Sequence, residues 1–296
     1  MTVVTLASLK GSPGVTTAAT ALGASWPVGR RVLLVEADPY GGDLAPRYGS
    51  TSALGLASLF AAARRSLDPD AVWEHVDHLP GGLPVLFGLS GVAGAMANEK
   101  AWPAIAAALG ALDADVVVDA GRLLPHYAGG VADVLAQSDV LVVLCRPTLE
   151  GIVHLRAALP GLVAELRGCQ LLVVPAGSGG YAGTEIGGTL GVAVGPSMPD
   201  DLRAADALAN KGALKRLERT ALLKWAATLI GALGIEPVGT DTAGSEEAAP
   251  LAADENGAQP VPTDVGTPAP LDEALSSEQD HDAVTVGART DGEAQP

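Results

Sequence analysis

A glycine-rich segment near the start of the chain has the residue types of a phosphate-binding loop. Ser8–Thr17 reads SLKGSPGVTT, between the aliphatic run Val3–Leu6, which predicts a buried strand, and the run Ala18–Leu22, which predicts the first turns of a helix. Backbone N–H groups in such a loop and the positive end of the following helix together suit an anion such as phosphate. The standard pattern GxxxxGK[ST] fails, because Val15 occupies the position of its lysine. The alternative is that Lys10–Thr17 is an ordinary strand-to-helix turn, since single short motifs also match by chance.

Two acidic residues stand at the ends of predicted strands, where a bound ligand would meet them. Asp38 follows the aliphatic run Val32–Glu36 and precedes a Pro/Gly turn, and Asp119 closes the run Val116–Asp119. Ligands of open α/β sheets lie at the carboxyl ends of the strands. Both residues are therefore candidates for chemistry at this edge. The alternative for Asp38 is that its carboxylate caps the following turn, as aspartate often does.

Predicted strands and helices alternate along the chain, which favours an α/β fold with a mostly parallel sheet flanked by helices. Aromatic residues make up only 3% of the chain and hydrophobic residues 48%, so the core must consist of Ala, Val and Leu, as in helices packed on a parallel sheet. The predicted strands are Val3–Ser8, Val32–Glu36, Leu83–Leu89, Val116–Asp119, Val140–Cys145, Leu171–Pro175 and Val192–Gly195. The predicted helices include Leu54–Arg65, Asp70–His78, Trp102–Leu112, Gly130–Gln137, Ile152–Leu166 and Asp201–Asn210.

Cysteine content and hydropathy narrow the cellular setting. Cys145 and Cys169 are the two cysteines and form no disulfide framework or metal-type spacing, which favours a reducing cytoplasm. The N-terminus enters a strand almost at once without a basic leader, unlike a signal peptide. No apolar run reaches the roughly eighteen residues of a membrane span. We therefore expect a cytoplasmic protein.

The net charge of −16 is concentrated at the C-terminal end. Residues 239–296 carry thirteen acidic residues and one basic residue, a charge of −12, which leaves −4 for residues 1–238. The segment is rich in Ala, Pro, Gly, Ser and Thr and has no Phe, Trp or Tyr, so it cannot bury enough apolar area to fold. We predict a nucleotide-binding domain over 1–238 and a disordered acidic tail over 239–296. The tail could be a solubilising chain, a partner-binding arm or an electrostatic gate.

A predicted helix over residues 213–233 precedes the tail and carries several basic residues. Its apolar side chains recur at helical spacing on one face, and Lys215, Arg216, Arg219 and Lys224 lie mainly on other faces. One interpretation is a surface helix that packs on the sheet and closes the domain. The other is a patch for non-specific contact with DNA or with an anionic membrane.

Taken in order, these motifs resemble the ParA/MinD-type ATPases, whose deviant phosphate-binding loop reads KGGxGKTT. Lys10 takes the place of the family's signature lysine, Ser12 replaces a glycine and Val15 replaces the second lysine. Residues 36–41 resemble the family's D-x-D-P-x-G segment, with a glutamate first, and residues 114–121 resemble its Walker B strand. The resemblance assigns these residues to cofactor binding: Lys10, Gly11, Ser12, Gly14, Val15, Thr16 and Thr17.

The resemblance implies an ATP site with Mg²⁺. Thr16 would give Mg²⁺ a direct hydroxyl ligand and Asp119 would hold it through water, a set of oxygen ligands that suits this cation. Asp38 would lie near the γ-phosphate and orient the attacking water or the metal shell. Lys10 would reach the phosphates of a partner subunit in a homodimer formed around ATP.

The function implied is positioning or partition of a cellular cargo, as in chromosome partitioning, with slow or absent hydrolysis. Losing the charged hydrogen bonds of the missing lysine costs about 1.5–3 kcal/mol per bond, roughly ten- to hundred-fold in affinity. Lys10 could take over part of that role as a flexible point charge. The alternative is a catalytically inactive pseudo-ATPase that acts as a scaffold or localisation adaptor. A different P-loop-like enzyme, such as a small-molecule kinase or ligase, also stays open.

Overall fold

A central β-sheet with helices on both faces makes up the described part of the chain. The computed structural model describes residues 1–10, 13–64, 67–123, 130–166, 168–209 and 217–238. The strands are β1 Val3–Ser8, β2 Val32–Glu36, β3 Asp77–His78, β4 Pro84–Leu86, β5 Asp115–Arg122, β6 Val140–Cys145, β7 Gln170–Pro175 and β8 Ala193–Val194. The helices are α1 Val15–Ala24, α2 Leu44–Arg47, α3 Leu56–Ala63, α4 Val92–Ala97, α5 Trp102–Leu109, α6 Val131–Leu135, α7 Leu149–Glu165, α8 Gly183–Leu190, α9 Leu202–Ala209 and α10 Ala221–Ala232. Short 3₁₀ helices span Pro69–His75, Glu99–Ala101 and Leu217–Arg219.

Within these residues the sheet has eight strands in the order β3-β4-β2-β5-β1-β6-β7-β8. Neighbouring strands are parallel, except that β3 runs antiparallel to β4. The predicted α/β fold with a mostly parallel sheet is therefore confirmed. Because β2, β5 and β1 are adjacent and parallel, the chain leaves all three at the same edge. The segments that follow Glu36, Asp119 and Ser8 are thus brought together.

Aliphatic strands are required because the sheet is buried on both faces. Val4 and Leu6 of β1 pack into a cluster with Leu22 of α1 and Leu229 of α10. Val3 of the same strand points the other way, into a cluster with α5. Successive side chains of a strand alternate between the two faces of a sheet. A strand that is covered on both faces therefore has apolar side chains on both.

The helix predicted over Asp70–His78 is wrong in its last three residues. The segment forms the 3₁₀ helix Pro69–His75, which begins where the Asp68 carboxylate accepts the Asp70 N–H at 3.0 Å. Extended backbone at Val76 then ends the helix and leads into the short edge strand β3. A two-residue strand is too short to have a detectable period, which is why the sequence pattern missed it.

The single helix predicted over residues 213–233 is also wrong. Leu217–Arg219 form a 3₁₀ helix, Thr220 has extended backbone, and α10 begins only at Ala221. The Thr220 hydroxyl accepts the Leu223 N–H at 3.4 Å and so caps α10. Lys215 and Arg216 lie outside the described residues, while Arg219 is exposed with a nitrogen 3.9 Å from Glu218. Contact with DNA or an anionic membrane through this segment stays a prediction.

Other predicted elements are present with different bounds. β4 is shorter than the predicted Leu83–Leu89, and β5 runs three residues past the predicted end at Asp119. The short helices α2, α4 and α8 were not predicted, because four to eight residues give too little periodicity. The predicted tail over 239–296 lies outside the described residues. Among the residues that the structure describes, no helix is long and apolar enough to span a membrane.

Candidate phosphate and metal site

Ser8, at the end of β1, and the residues Gly14–Thr17 line a cavity of about 400 Å³ at the carboxyl edge of the sheet. Ser8 ends the strand, and Gly14 adopts a left-handed conformation, with φ of 96°, directly before α1. Gly11 and Ser12 of the predicted loop lie outside the described residues. The residues that line the cavity are Ser8, Gly14, Val15, Thr16, Thr17, Asp38, Tyr40, Asp43, Arg47, Gly121 and Arg122.

The start of α1 is suited to an anion. No side chain caps this helix, and its first turn contains no acidic residue. The first N–H groups of a helix have no partner within the helix, and they carry the positive end of its dipole. Val15, Thr16 and Thr17 line the cavity, so their N–H groups are candidate phosphate donors, and the predicted phosphate-binding role of this segment stays a prediction.

Val15, which occupies the lysine position of the loop, belongs to the hydrophobic core. Its side chain is only 7% exposed and belongs to the hydrophobic cluster on the α1 face of the sheet, although it also lines the cavity. Valine at the lysine position thus contributes to the core. The side chain of this residue brings no charge to the cavity.

Asp119 lies fully buried behind the cavity, at the end of the predicted Walker B strand. Its Oδ1 atom accepts the Gly121 N–H at 2.9 Å, whereas Oδ2 has no hydrogen-bond partner in the described part of the chain. Burial is the main cause that raises the pKa of Asp119 to about 7; a contact from the Thr16 hydroxyl acts to lower it, and the nearby carboxylates of Glu36 and Asp38 act to raise it. A buried carboxyl with an unpartnered oxygen beside a hydroxyl offers the oxygen donors that Mg²⁺ prefers.

Asp38 lies at the mouth of the cavity, near Asp119. Its Oδ1 atom accepts the Tyr40 N–H at 2.8 Å, so the carboxylate caps the following turn as well as lining the cavity. Burial raises the pKa of Asp38 above its usual value, and the charge of Asp43 adds to the shift. Its carboxyl group packs directly against the Cα of Gly121. The capping contact predicted for Asp38 is therefore present, and its role near a γ-phosphate stays a prediction.

Glu36 has a structural role that the sequence did not reveal. One oxygen accepts the N–H groups of Asp43 and Leu44 at 2.6 and 2.9 Å, and the other accepts the N–H of Gly88 at 2.9 Å. These bonds hold the turn after β2 against the segment after β4. Burial raises the pKa of Glu36 despite them.

The donor set fits Mg²⁺ only in the company of a nucleotide and water. No group of three His, Cys, Asp or Glu side chains in the described ranges is placed to hold a metal alone. Thr16 offers a hydroxyl and Asp119 a carboxylate, and Mg²⁺ commonly takes one or two protein oxygens and completes its shell with phosphates and water. The unpartnered Oδ2 of Asp119 is one such protein oxygen.

The predicted signature lysine lies outside the cavity lining. The exposed Lys10 ammonium donates to Nε2 of His154 on α7, at 2.6 Å, which requires a neutral imidazole with its hydrogen on Nδ1. In the single chain, the Lys10 ammonium thus contacts α7, and its predicted share in the role of the missing lysine stays a prediction. The cations that do line the cavity are Arg47 and Arg122, which the motif comparison missed.

Gly121 is required by the geometry of this site. Its φ is +57°, and a Cβ atom there would overlap the Asp38 carboxylate. Gly121→Ala should lower the free energy of unfolding by about 2–4 kcal/mol, from left-handed backbone strain plus overpacking, measured by urea denaturation. Gly49→Ala is the matched control, because Gly49 has the same φ with open space at its Cβ position, and about 1 kcal/mol is expected there. Equal losses in the two variants would contradict close packing at Asp38.

Solved structures with the same fold are ATPases of the ParA and MinD types. A ParA family ATPase from Chlorobium tepidum TLS gives a TM-score of 0.61 with 23% identity, covering 76% of this chain and 96% of that one. The septum site-determining protein MinD from Pyrococcus horikoshii OT3, solved with Mg-ADP, gives 0.58 with 18% identity, covering 79% and 98%. A variant of McdA from Cyanothece in complex with ATP gives 0.57 with 18% identity, covering 81% and 99%.

These structures fix the class of the fold. The chain has the ParA/MinD-like fold, as the resemblance of its motifs predicted. No protein-family model and no curated protein sequence matches the chain.

Proposed function

We propose that this protein binds ATP together with Mg²⁺ and forms a homodimer around the nucleotide, as a switch that positions a cellular cargo. The observation that carries the proposal is the fully buried Asp119, whose free Oδ2 lies with Thr16 behind a cavity lined by the N-terminus of α1. An unpaired carboxylate at full burial is costly. A bound cation would remove that cost.

Each residue of the site has a definable task. The N–H groups at the start of α1 bind phosphate oxygens, and the Thr16 hydroxyl and Asp119 carboxylate hold Mg²⁺. Bound Mg²⁺ would neutralise phosphate charge and fix the phosphate chain. Asp38, at the mouth of the cavity, would accept a hydrogen bond from a water molecule and orient it.

A second candidate is nucleotide binding without turnover, as in a scaffold or localisation adaptor. Phosphoryl transfer depends almost entirely on positioning and on positive charge. Val15 is packed in the core and Lys10 is bonded to His154, so no lysine in the described part of the chain reaches the cavity. Slow or absent hydrolysis is the expected result in either case.

Titration calorimetry of the full-length protein with ATP, with and without Mg²⁺, tests the proposal. Thr16→Val removes the hydroxyl and keeps the shape, so it should abolish the Mg²⁺-dependent part of the affinity. Thr228→Val makes the same chemical change on α10, where the hydroxyl bonds only to the Lys224 carbonyl at 2.9 Å, and should bind like the unmodified protein. Absence of binding at millimolar ATP would refute nucleotide dependence. A phosphate-release assay then separates slow hydrolysis from none.

A further inference from the structure

The cavity contains an arginine that has no carboxylate partner. Arg47 also lines the cavity, but its Nη2 atom lies 2.6 Å from the Asp43 carboxylate. Lys10 is held by His154. Arg122 makes no ion pair with any described residue, so among the cations around the cavity its charge is available to a ligand.

The backbone holds Arg122 against the phosphate-binding segment. It is the last residue of β5 and stands opposite Ser8, after an irregularity in the pairing of β5 with β1. The Leu123 N–H donates to the Ser8 carbonyl at 2.8 Å, and Nε of Arg122 donates to the Leu9 carbonyl at 3.3 Å. A guanidinium has five N–H donors, so one bond to the loop leaves four for another acceptor.

We propose that Arg122 supplies, from within the same chain, the positive charge on the nucleotide phosphates that Val15 cannot supply. This inference rests on the proposed function and names a residue for it. A planar guanidinium donates two parallel hydrogen bonds to a phosphate, which suits it to a role that the point charge of a lysine usually fills. The left-handed conformation of Gly121 changes the direction of the strand, which lets the Arg122 side chain reach the Leu9 carbonyl.

Affinity measurements on the full-length protein test the role of Arg122. Arg122→Ala should weaken Mg-ATP binding roughly ten- to hundred-fold, and AMP binding less, because AMP carries fewer phosphate charges. Arg122→Gln keeps an N–H donor for the Leu9 carbonyl and loses the charge, so it should resemble the alanine variant. Arg122→Lys keeps the charge and should restore most of the affinity. Arg64→Ala removes an exposed arginine outside the cavity and serves as the control.

A second-site change separates charge from structure. Adding Val15→Lys to Arg122→Ala should recover at least about tenfold in ATP affinity, since a lysine stem can follow the buried valine while its ammonium reaches the cavity. Equal ATP affinity in Arg122→Ala and Arg64→Ala would overturn the inference and leave the proposed function standing. If ATP does not bind, inorganic tripolyphosphate is the remaining probe. If tripolyphosphate binds and Arg122→Ala weakens that binding, the inference about Arg122 is supported although the proposed function is not. If tripolyphosphate does not bind either, the inference and the proposed function are both overturned.

Discussion

Asp119→Asn is expected to raise the melting temperature of the nucleotide-free protein at pH 8 and to abolish the further stabilisation by Mg-ATP. The amide keeps the volume and the acceptor for the Gly121 N–H but carries no charge. The folded protein raises the pKa of Asp119 from its ordinary value of 3.8 to about 7. Ionisation above pH 7 therefore costs on the order of 2–4 kcal/mol, which corresponds to roughly 5–15 °C for a domain of this size.

The sign of this effect depends on pH. Because the folded state holds the proton more tightly than the unfolded state, the stability contributed by Asp119 is fully present below about pH 4 and is lost as pH rises to about 7. The gain from Asp119→Asn should therefore be large at pH 8 and nearly absent at pH 4. Differential scanning calorimetry at the two pH values measures the difference.

Asp115→Asn, at the other end of the same strand, is a control of opposite sign. Burial acts to raise the pKa of Asp115, but hydrogen bonds from Arg30 and Trp26 outweigh it and hold the pKa below its usual value. Its carboxylate lies 2.6 Å from Nε of Arg30. Asp115→Asn should therefore destabilise the protein at pH 8. A fall in melting temperature for both variants would contradict the raised pKa of the buried Asp119.

The affinity for Mg²⁺ should depend on pH through the same ionisation of Asp119. The metal needs the ionised carboxylate, so binding below pH 7 must release a proton. The apparent affinity for Mg²⁺ in the presence of ATP is expected to fall as pH drops below 7, and to fall less steeply in Asp119→Asn, where only protonation of the nucleotide remains.

The sequence predicted those parts of the site that depend on local pattern. A loop between a strand and a helix, and acidic residues at strand ends, gather at one edge whenever the strands are parallel. Thr16, Asp38 and Asp119 do lie together for this reason. The position of β5 between β2 and β1 is a tertiary feature that no local pattern specifies, and it sets how deeply Asp119 is buried.

Residues that act through long-range contacts could not be predicted in this way. Lys10 and His154 are 144 positions apart, and only the packing of α7 beside β1 brings them together. Arg122 follows a glycine at a strand end, a local signal of changed direction, yet its place over the loop depends on the irregular pairing of β5 with β1. In the sequence, Glu36 is only a glutamate at the position of a family aspartate. Its three hydrogen bonds from backbone N–H groups depend on a turn and a neighbouring segment that only the folded chain brings to it.

Lys10→Ala is expected to abolish ATP-dependent dimerisation and to leave ATP binding by the monomer nearly unchanged. Lys10 is exposed and outside the cavity of its own chain, a location that suits contact with the nucleotide of a second copy. In a two-fold symmetric dimer each lysine acts once, so losing both removes about 3–6 kcal/mol, or roughly 10²–10⁴ in the dimerisation constant. Sedimentation velocity with a non-hydrolysable ATP analogue and Mg²⁺ measures this constant.

Two further variants locate the source of the effect in Lys10. Lys100→Ala removes an exposed lysine in the 3₁₀ helix Glu99–Ala101 and should dimerise like the unmodified protein. His154→Ala releases the Lys10 ammonium from its partner at 2.6 Å, so dimerisation should persist or strengthen, because no bond within the chain must then be broken. A drop in monomer affinity in Lys10→Ala would instead place the lysine on the phosphates of its own chain. Dimerisation equal to that of Lys100→Ala would exclude Lys10 from the interface.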